Sequence, residues 1–361
     1  MNVALVYDRV NSWGGAERVL LALHKIWPDA PLYTAVYEPT KAAWSDVFKV
    51  RVSFLNKIPL IRKRHDIFPW LMPLAFESFD FSEFDVVISV TSAEAKGIIT
   101  KPKTLHICYC LTPTRYLWSG YHYYFKKRLL TMLAKPVISY LRRWDKVASQ
   151  RPDVYLSISR NVQQRITQYY QRDSKVIYPP LDTSWWKPGD TSLEDYFLVV
   201  SRLVYYKRTD MVIRAFNQLG LPLKIIGTGA ELPRLKDRAN KNISFLGQLT
   251  DNELLGYYQK CKAVIFPQEE DFGLVPLEAQ ACGRPVIALR AGGGLETVIE
   301  GKSGVFFYPQ TVRALKQAVL KFDASFFDPK ECQNNAQKFT EERFLKTFKS
   351  FIDKKWKNFL S

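Results

Sequence analysis

The sequence has few of the residues that bind structural metals or form disulfide frameworks. Its 361 residues include five cysteines and four histidines, with no C-x-x-C pair and no spacing typical of zinc ligands. Cys108 and Cys110 lie two residues apart in an apolar stretch and so share one face of a predicted strand. We therefore expect no zinc site, and we expect reduced thiols buried in a core, as in proteins of the cytosol.

Long apolar stretches are also missing. No window approaches the roughly 18 consecutive apolar residues that cross a bilayer, so we expect no membrane-spanning helix. Residues 1–8 lack the basic start of a signal peptide and predict a β-strand, so we do not expect export. Hydrophobic residues at 47% and aromatic residues at 14% suffice for a packed core and argue against disorder.

Positive charge is concentrated in one part of the sequence. The chain has 52 Lys and Arg against 35 Asp and Glu, and 52 − 35 gives a net charge of +17. Residues 101–150 hold ten basic residues and one acidic residue, a local charge of +9, whereas residues 251–300 hold four basic and eight acidic residues. Such a basic cluster indicates an anionic partner: nucleic acid, a membrane surface or a phosphorylated substrate. No RNA-binding signature is present, so nucleic acid is the remote alternative.

Short apolar stretches alternate with helical patterns along most of the chain. Helical patterns occur at 16–26, 161–170, 210–219 and 274–282. Strands are predicted at 3–7, 32–36, 85–90, 105–110, 154–158, 175–178, 196–201, 223–227, 243–246, 263–266, 285–289 and 304–308. This alternation predicts an α/β fold with parallel sheets covered by helices.

A proline-rich stretch divides the chain into two halves. Residues 179–192 contain three prolines and a glycine between two predicted strands, which is typical of a linker. We predict a doubly wound domain at 1–182, a linker at 183–194, a second doubly wound domain at 195–338, and an amphipathic helix at 339–361 that crosses back to the first domain. Two such domains facing each other would form a central cleft at the carboxyl ends of their strands, where ligands of such folds bind.

The strongest local signal is an acidic loop between a strand and a helix, within residues 266–288. Phe272, Gly273 and Leu274 are expected at the N-terminus of the helix, where free N–H groups bind anions or sugar oxygens. Glu270 precedes the helix and Glu278 falls on its second turn, so both carboxylates can accept hydrogen bonds from the hydroxyls of one ligand. The alternative is a structural helix whose acidic N-terminus complements its dipole.

Basic and glycine-rich loops follow other predicted strands. Arg202 and Lys207 suit two phosphates, Arg as a planar fork and Lys as a point charge, with a solvated basic loop as the alternative. Gly14 and Gly15 follow the first strand and Gly227 a later one, where the missing Cβ lets backbone N–H groups approach a phosphate or a sugar. No G-x-G-x-x-G fingerprint occurs, so a dinucleotide site is weakly supported.

The order of these motifs resembles that of the family 4 retaining glycosyltransferases, which have the GT-B fold of two Rossmann-like domains. The resemblance covers nearly the whole chain, and its most specific part is the pair Glu270 and Glu278, with seven residues between them. Residues 115–118 and 143–145 are similar to a mannosyltransferase subgroup that acts on lipid-linked O-antigen or exopolysaccharide precursors. The resemblance implies retaining hexosyl transfer, with GDP-mannose as the expected donor and UDP-glucose or UDP-GlcNAc as alternatives.

The resemblance also implies a role for each candidate residue of the second half. Arg202 and Lys207 would hold the donor diphosphate and stabilise the charge of the leaving group. Glu278 would accept the ribose hydroxyls, and Glu270 would accept the hydroxyls of the hexose. Backbone N–H groups at 272–274 would orient the sugar, Gly227 would line the donor site, and the backbone around Gly247 would contact the nucleobase.

The resemblance brings the loop at Gly14 and Gly15 against the diphosphate and the acceptor.

No metal or other cofactor is expected. Two cationic side chains and helix N-termini can neutralise a nucleoside diphosphate without a divalent metal. The sequence also lacks the Asp-x-Asp motif that is typical of transferases with a bridging metal.

One position departs from the family pattern. Many relatives read Cys-His-Thr-Pro before Arg115, whereas this sequence reads Cys-Leu111-Thr-Pro. The resemblance places Leu111 and Arg115 on the acceptor side, and a leucine side chain can neither donate nor accept a hydrogen bond. A catalytically weakened protein that binds the sugar nucleotide is therefore the alternative function. His106, five residues earlier, is expected to be a core histidine.

Two basic segments of the first half suit an anionic membrane surface. Residues 126–143 place apolar residues at helical spacing among Lys and Arg, with Pro136 inside, and residues 59–73 combine basic and aromatic residues. Ordinary helices packed on the sheet are the alternative. We expect a cytoplasmic protein, peripheral on the cytosolic face of the membrane. Its expected partners are a nucleotide sugar, a lipid-diphosphate-linked glycan acceptor and the membrane surface, and not nucleic acid.

Overall fold

The computed structural model describes residues 1–121, 128–190 and 192–360. The chain divides into two compact units, one formed by Met1–Pro180 together with Phe344–Ser361 and the other by Leu181–Arg343. Each unit contains one parallel β-sheet whose strands are connected by helices, so the predicted α/β fold with two parallel sheets is confirmed.

The first unit contains a sheet of seven strands. They are β1 (Val3–Val10), β2 (Leu32–Tyr37), β3 (Val50–Val52), β4 (Val86–Thr91), β5 (Leu105–Cys110), β6 (Val154–Ser157) and β7 (Lys175–Val176). Their order is β3-β2-β1-β4-β5-β6-β7, and neighbouring strands are parallel. Every residue of β4 and β5 is buried, because central strands of a parallel sheet are covered on both faces.

Helices among the described residues connect these strands. They are α1 (Gly15–Ile26), α2 (Pro59–Lys63), α3 (Met72–Glu77), α4 (Arg128–Ala148) and α5 (Arg160–Tyr170). The helix α4 contains Pro136 in its interior. It accounts for only part of the basic segment predicted at 126–143, since Lys126 and Lys127 lie outside the described residues.

The second unit contains a sheet of six strands. They are β8 (Phe197–Val200), β9 (Leu223–Ile226), β10 (Ile243–Gly247), β11 (Ala263–Phe266), β12 (Val286–Leu289) and β13 (Gly304–Phe307), in the order β10-β9-β8-β11-β12-β13. The helices are α6 (Thr209–Leu219), α7 (Leu232–Asp237), α8 (Asp251–Lys260), α9 (Leu274–Ala281), α10 (Gly294–Thr297), α11 (Val312–Lys321) and α12 (Pro329–Ala336).

The core of the second unit forms between its sheet and helices such as α6. Met211 and Phe216 of this helix are buried in one cluster with Ile225 and Ile265 of the strands. The ring of Phe216 lies 5.4 Å from the ring of Phe197 in an edge-on arrangement. Burial of each such side chain contributes about 1.5–3 kcal/mol, so this packing holds the strand ends that carry the candidate site.

The last helix, α13 (Glu341–Leu360), begins in the second unit and supplies apolar residues to the first. Phe344, Phe348 and Ile352 recur at helical spacing and are buried. The ring of Phe348 lies 5.5 Å from that of Tyr109 and 6.3 Å from that of Trp27. The first unit is therefore built from two separate stretches of the chain.

All the predicted strands are present, and the sheet of the first unit contains one further strand. The additional strand, β3, has only three residues, with Arg51 at its centre, and two of the three are exposed. An edge strand of this kind lacks the apolar stretch on which strand prediction depends. Within the predicted linker, Trp186 is only 1% exposed and packs against Tyr258 of the second unit at a ring distance of 5.4 Å.

Several predictions about single side chains are confirmed. All five cysteines are buried and free of disulfides, and burial raises the pKa of Cys261 to about 12. His106 is a core residue, with its Nε2 at 2.8 Å from Ser89 Oγ. Among the described residues, no helix combines the length and the hydrophobicity needed to cross a bilayer.

Candidate active site

The second sheet reverses its strand order between β8 and β11. From β8 the chain builds outward to β9 and β10, and it then returns to the other side of β8 to form β11. The loops after two such strands diverge, which leaves room for a ligand at the carboxyl ends of the strands. The loop after β8 carries Arg202 and Lys207, and the loop after β11 carries Glu270.

Lys207 and Glu270 bond directly to each other at this point. Lys207 Nζ donates to Glu270 Oε1, and Gln268 Nε2 donates to the same oxygen over 3.1 Å. The side chains of Lys207 and Glu270 are 11% and 23% exposed, so the ion pair is partly desolvated but still reached by water. The Gln268 side chain is buried, and its Oε1 has no hydrogen-bond partner among the residues that the structure describes. Sequence reasoning missed Gln268.

The two loops are also connected through Gln310. Lys207 ends a short 3₁₀ turn (Tyr205–Lys207), and the next residue, Arg208, has a left-handed backbone with φ of 57°. Arg208 donates from Nη1 to Gln310 Oε1 over 2.9 Å, and Gln310 Nε2 donates to the carbonyl of Pro267 over 2.8 Å. This chain of bonds compensates for the uncommon backbone of Arg208 and fixes the turn that presents Lys207.

Arg202 lies on the surface beside this pair of loops. Its Nη2 donates to the hydroxyl of Tyr206 over 3.0 Å, and its side chain is exposed. An exposed guanidinium keeps most of its fork of donors available to solvent or to an anion. The sequence predicted Arg202 and Lys207 as a pair of phosphate ligands, and that role stays a prediction.

Glu278 lies on the second turn of α9. It is 6% exposed, and its Oε2 accepts a hydrogen bond from the hydroxyl of Tyr258 over 2.8 Å. The helix begins at Leu274, after Gly273 with φ of 103°, a left-handed conformation that favours glycine. Phe272, just before it, is buried against Phe339 at a ring distance of 5.6 Å. The structure therefore places residues 272–274 at the helix N-terminus, as predicted.

Glycines at the ends of β9 and β10 allow a close approach of backbone to backbone. The N–H of Gly227 donates to the carbonyl of Gly247 over 2.7 Å. A Cβ at Gly227 would lie 1.9 Å from the carbonyl oxygen of Ser201, so a larger residue cannot replace this glycine without moving the end of β8. Gly247 has a positive φ of 74° and open space where a Cβ would lie, which is compatible with a ligand lying beside it.

A third glycine-rich loop, residues 292–294 after β12, was not predicted. The N–H of Gly293 donates to the carbonyl of Glu270 over 2.8 Å. A Cβ at Gly292 would lie 2.6 Å from that same oxygen, and one at Gly293 would lie 2.2 Å from the carbonyl oxygen of Phe272. The glycines thus let this loop pack under the acidic loop and fix its backbone. Three consecutive glycines that begin three residues after a predicted strand were the signal that could have revealed it.

The first sheet has a reversal of its own between β1 and β4. Asp8, near the end of β1, is buried and accepts hydrogen bonds from Thr91 Oγ1 over 2.8 Å and from the backbone N–H of Ser92 over 2.7 Å. Arg9 donates from Nη2 to Glu94 Oε2 over 2.7 Å, and Glu94 Oε1 accepts from the hydroxyl of Tyr116 over 2.6 Å. These bonds fix the loops at the carboxyl ends of the two strands.

Gly14 and Gly15 lie at the N-terminus of α1, directly beside a carboxylate. Tyr7 donates its hydroxyl to Glu17 Oε1 over 2.6 Å, and a Cβ at Gly14 would lie 3.3 Å from Glu17 Oε2. Burial and the charge of Glu17 raise the pKa of Tyr7, so this hydroxyl stays protonated. Because an acidic group already complements the helix N-terminus, this loop suits sugar hydroxyls better than a phosphate.

The segment with Leu111 and Arg115 is anchored by a buried ion pair. The N–H of Leu111 donates to the carbonyl of Thr91 over 2.8 Å, directly after β5. Lys96 Nζ contacts Asp145 Oδ1 at 2.5 Å and donates to Thr114 Oγ1 over 2.9 Å. Burial lowers the pKa of Lys96, but the charge and hydrogen bond of Asp145 outweigh it, so that the pKa is raised. The ammonium group therefore keeps its charge at neutral pH.

Comparison with known proteins shows what this arrangement is similar to. Residues 186–339 match the family model described as glycosyl transferases group 1. The crystal structure of Anabaena HepE in complex with UDP and glucose is similar with a TM-score of 0.73, covering 98% of this chain and 99% of that one at 18% identity. Residues 186–339 therefore carry the signature of this family, and the chain has the GT-B fold of the HepE structure.

Curated proteins with similar sequences are named as transferases of different sugars. A D-rhamnosyltransferase of Pseudomonas aeruginosa is 28% identical over 212 residues, covering 54% of this chain and 54% of that protein. An O-antigen chain mannosyltransferase of Escherichia coli is 29% identical over 167 residues, covering 44% of each chain. The chain therefore spans about half the length of the curated relatives it matches.

Proposed function

We propose that this protein transfers a hexosyl residue, with retention of anomeric configuration, from a nucleotide sugar to a lipid-diphosphate-linked glycan. We further propose mannose as the hexose and GDP-mannose as the donor, in the synthesis of a cell-surface polysaccharide. The observation that carries the proposal is the direct contact of Lys207 with Glu270 at the reversal point of the second sheet. It brings a cation for the diphosphate and a carboxylate for sugar hydroxyls to one place.

The chemistry required of the donor site is electrostatic. Departure of a nucleoside diphosphate from the sugar leaves negative charge on the bridging oxygen, which fixed cations stabilise. Lys207 and Arg202 are proposed to supply this stabilisation, and no metal is proposed. Glu278, held by Tyr258, is proposed to accept the ribose hydroxyls, since an ionised carboxylate accepts several hydrogen bonds and donates none. The backbone at Gly247 is proposed to contact the base.

The choice of mannose is supported by the sequence stretches 115–118 and 143–145 and by the mannosyltransferase among the relatives. The complex of HepE with UDP and glucose supports a nucleotide sugar as such and keeps UDP-glucose as an alternative donor. UDP-GlcNAc is a further alternative. These three donors differ in the base or in the hexose, and the same residues of the second unit would bind each of them.

A membrane location is proposed because the acceptor is a lipid and because the first unit has a suitable surface. Residues 51–74, which we call the apolar-basic segment, contain five basic residues and one acidic residue, and 5 − 1 gives a charge of +4. Its exposed apolar side chains are Val52, Phe54, Ile58, Leu60, Ile67, Trp70 and Leu74. Exposed apolar groups among cations suit the interface of an anionic bilayer. We propose that the segment holds the protein at the cytosolic face.

A second candidate function follows from Leu111. The residue stands where the resemblance predicts a histidine, and an apolar side chain offers the hexose no hydrogen bond. A protein that binds the sugar nucleotide with little or no transfer is the corresponding alternative. It shares the donor site with the enzyme and differs only in turnover.

The donor proposal is tested by thermal unfolding with GDP, UDP, ADP and dTDP, followed by product analysis. A nucleotide that binds the folded state raises the melting temperature by mass action, and we expect GDP to do so most. NMR of the product formed from GDP-α-mannose should show an α-linked hexose, with transfer unchanged by EDTA. Stabilisation by none of the four nucleotides would reject the donor site, and an inverted product would reject the mechanism.

A further inference from the structure

Two residues that bind different parts of the donor in the proposed function are bonded to each other. Lys207 is assigned to the donor diphosphate and Glu270 to the hydroxyls of the hexose, yet Lys207 Nζ donates to Glu270 Oε1. A lysine ammonium is a compact charge, so an anion that approaches it competes with the anion that already neutralises it. Binding of a diphosphate at Lys207 therefore requires the ion pair to be weakened or broken.

We propose that Lys207 exchanges its partner between Glu270 and the diphosphate, and that this exchange favours a nucleotide sugar over the free nucleoside diphosphate. The inference rests on the proposed function. A nucleotide sugar compensates Glu270 for the loss of Lys207, because its hexose hydroxyls donate to the carboxylate. A nucleoside diphosphate has no hexose and carries additional charge on its terminal phosphate. When the nucleoside diphosphate binds, the carboxylate of Glu270 stays partly desolvated and receives no new hydrogen-bond donors. The charge of the terminal phosphate also repels this carboxylate.

The surroundings of the ion pair suit an exchange of side chains on a fixed backbone. The acidic loop is held by the bond from the N–H of Gly293 to the carbonyl of Glu270, and the turn of Lys207 is held through Arg208 and Gln310. Gln268 keeps a hydrogen bond to Glu270 Oε1 that does not depend on Lys207. Both partners are partly exposed, so solvent or a ligand can reach them. Only the lysine side chain has to move.

The exchange has a consequence for the order of events. Once the hexose has been transferred, its hydroxyls leave Glu270, and the carboxylate again competes with the diphosphate for Lys207. Glu270 thereby promotes release of the nucleoside diphosphate product. The same residue thus binds the hexose of the donor and destabilises the product that remains.

Calorimetry with GDP and UDP tests the inference on the full chain. Glu270→Gln keeps the shape of the side chain and removes its charge, and it should bind GDP about tenfold more tightly, which equals about 1.4 kcal/mol. Glu269→Gln is the matched control, because it removes an identical charge from the exposed neighbour in the same loop. Its effect on GDP should stay within about twofold, as expected for a charge screened by solvent. Binding of GDP-mannose should gain less than binding of GDP in Glu270→Gln.

A second pair of variants separates the exchange from the donor site itself. In the background of Lys207→Met, Glu270→Gln should tighten GDP binding clearly less than it does in the presence of Lys207, because only the direct repulsion of the phosphate is then removed. If Glu270→Gln and Glu269→Gln change GDP affinity equally in the presence of Lys207, the exchange is rejected while the donor site stands. If neither GDP nor UDP binds the unmodified protein, the proposed function and the exchange are rejected together. Thermal unfolding without nucleotide of the unmodified protein, Lys207→Met, Glu270→Gln and the variant with both changes should show coupling between Lys207 and Glu270, and its absence would also reject the exchange.

Discussion

Tyr258 holds one oxygen of Glu278 in place: its hydroxyl donates to Glu278 Oε2 over 2.8 Å, and both side chains are buried. The two residues come from neighbouring elements, α8 and α9, and Trp186 packs edge-on against the tyrosine ring. A carboxylate fixed in this way loses little rotational freedom when a ligand donates to it. The bond therefore makes Glu278 a prepared acceptor rather than a mobile surface charge.

The first prediction concerns this pair. Glu278→Ala should weaken GDP binding by ~1–3 kcal/mol because the proposed acceptor for the ribose is removed. Tyr258→Phe should weaken it by about 1 kcal/mol, since the carboxylate remains but is no longer held. Tyr257→Phe, which removes a hydroxyl from the adjacent residue, is the control and should bind GDP normally. Isothermal calorimetry measures the affinity for GDP. Equal affinities of the unmodified protein and the three variants would show that the ribose does not bind at Glu278.

The second prediction concerns the apolar-basic segment, residues 51–74. Replacing Ile58 and Leu60 by serine should lower binding to vesicles that contain anionic lipid by about 30-fold, because the two inserted side chains contribute roughly 1 kcal/mol each. Both side chains are exposed, so their loss should not change the melting temperature. Flotation of vesicles at several salt concentrations measures the effect.

The matched control for this experiment is Ile99→Ser. Ile99 is 53% exposed in the same unit, close to the 60% of Leu60, but lies outside the segment. Binding should fall with salt in the unmodified protein and should depend on Lys57 and Lys63, as each cation near an anionic surface contributes about 1 kcal/mol. Equal recovery on neutral and anionic vesicles, or equal loss in Ile99→Ser, would contradict the proposal.

The third prediction is that Leu111 limits turnover. Leu111→His should raise transfer from a hexose donor with a 6-hydroxyl by ~10-fold or more, because a hydrogen bond worth about 1.4 kcal/mol becomes available in the transition state. Nucleotide affinity should change little. Single-turnover transfer to a purified lipid-diphosphate acceptor measures the rate, with Leu111→Met as the apolar control.

An opposite outcome for Leu111 would also be informative. Rhamnose is a 6-deoxy sugar, and one relative is a D-rhamnosyltransferase. A leucine beside a methyl group leaves no hydroxyl unsatisfied. If Leu111→His is slower with every donor that has a 6-hydroxyl, the leucine belongs to a working site and the weakened-enzyme alternative is rejected.

The fourth prediction concerns pH and stability. Burial, followed by the charges of Arg151 and Arg172, lowers the pKa of His106 to about 3. The unfolded chain takes up a proton at this residue near pH 6.5, whereas the folded protein does so only near pH 3, so stability falls as the pH drops through this range. His106 should account for about 2 kcal/mol of the loss between pH 7 and pH 5. Urea unfolding at both pH values should show a smaller loss in His106→Gln, and an unchanged loss would refute this account.

The strands were predictable because each is a short apolar stretch followed by a helical pattern, as in residues 197–200 before α6. Burial on both faces of a parallel strand leaves this signal in the sequence itself. β3 escaped prediction because Arg51 interrupts it and only the hydrogen bonds to β2 define it. Such pairing depends on residues distant in the chain.

The candidate site was predictable only in its parts. A strand end predicts where Lys207 and Glu270 lie, but 63 residues separate them, and no local pattern reveals that they bond. Tyr258 is likewise 20 residues from Glu278. Gln268, Gln310 and the glycines at 292–294 act through packing and hydrogen bonds between loops. These interactions arise only when the sheet has brought the loops together.

The helix α13 has a consequence for synthesis of the protein on the ribosome. Phe344, Phe348 and Ile352 belong to the core of the first unit, yet they are translated after the whole of residues 181–343. The nascent first unit therefore exposes the apolar surface around Tyr109 until these residues emerge, whereas all residues of the second unit are available earlier. The unit translated first is thus the one completed last. Folding of the first unit can therefore finish only after residues 344–352 have left the ribosome.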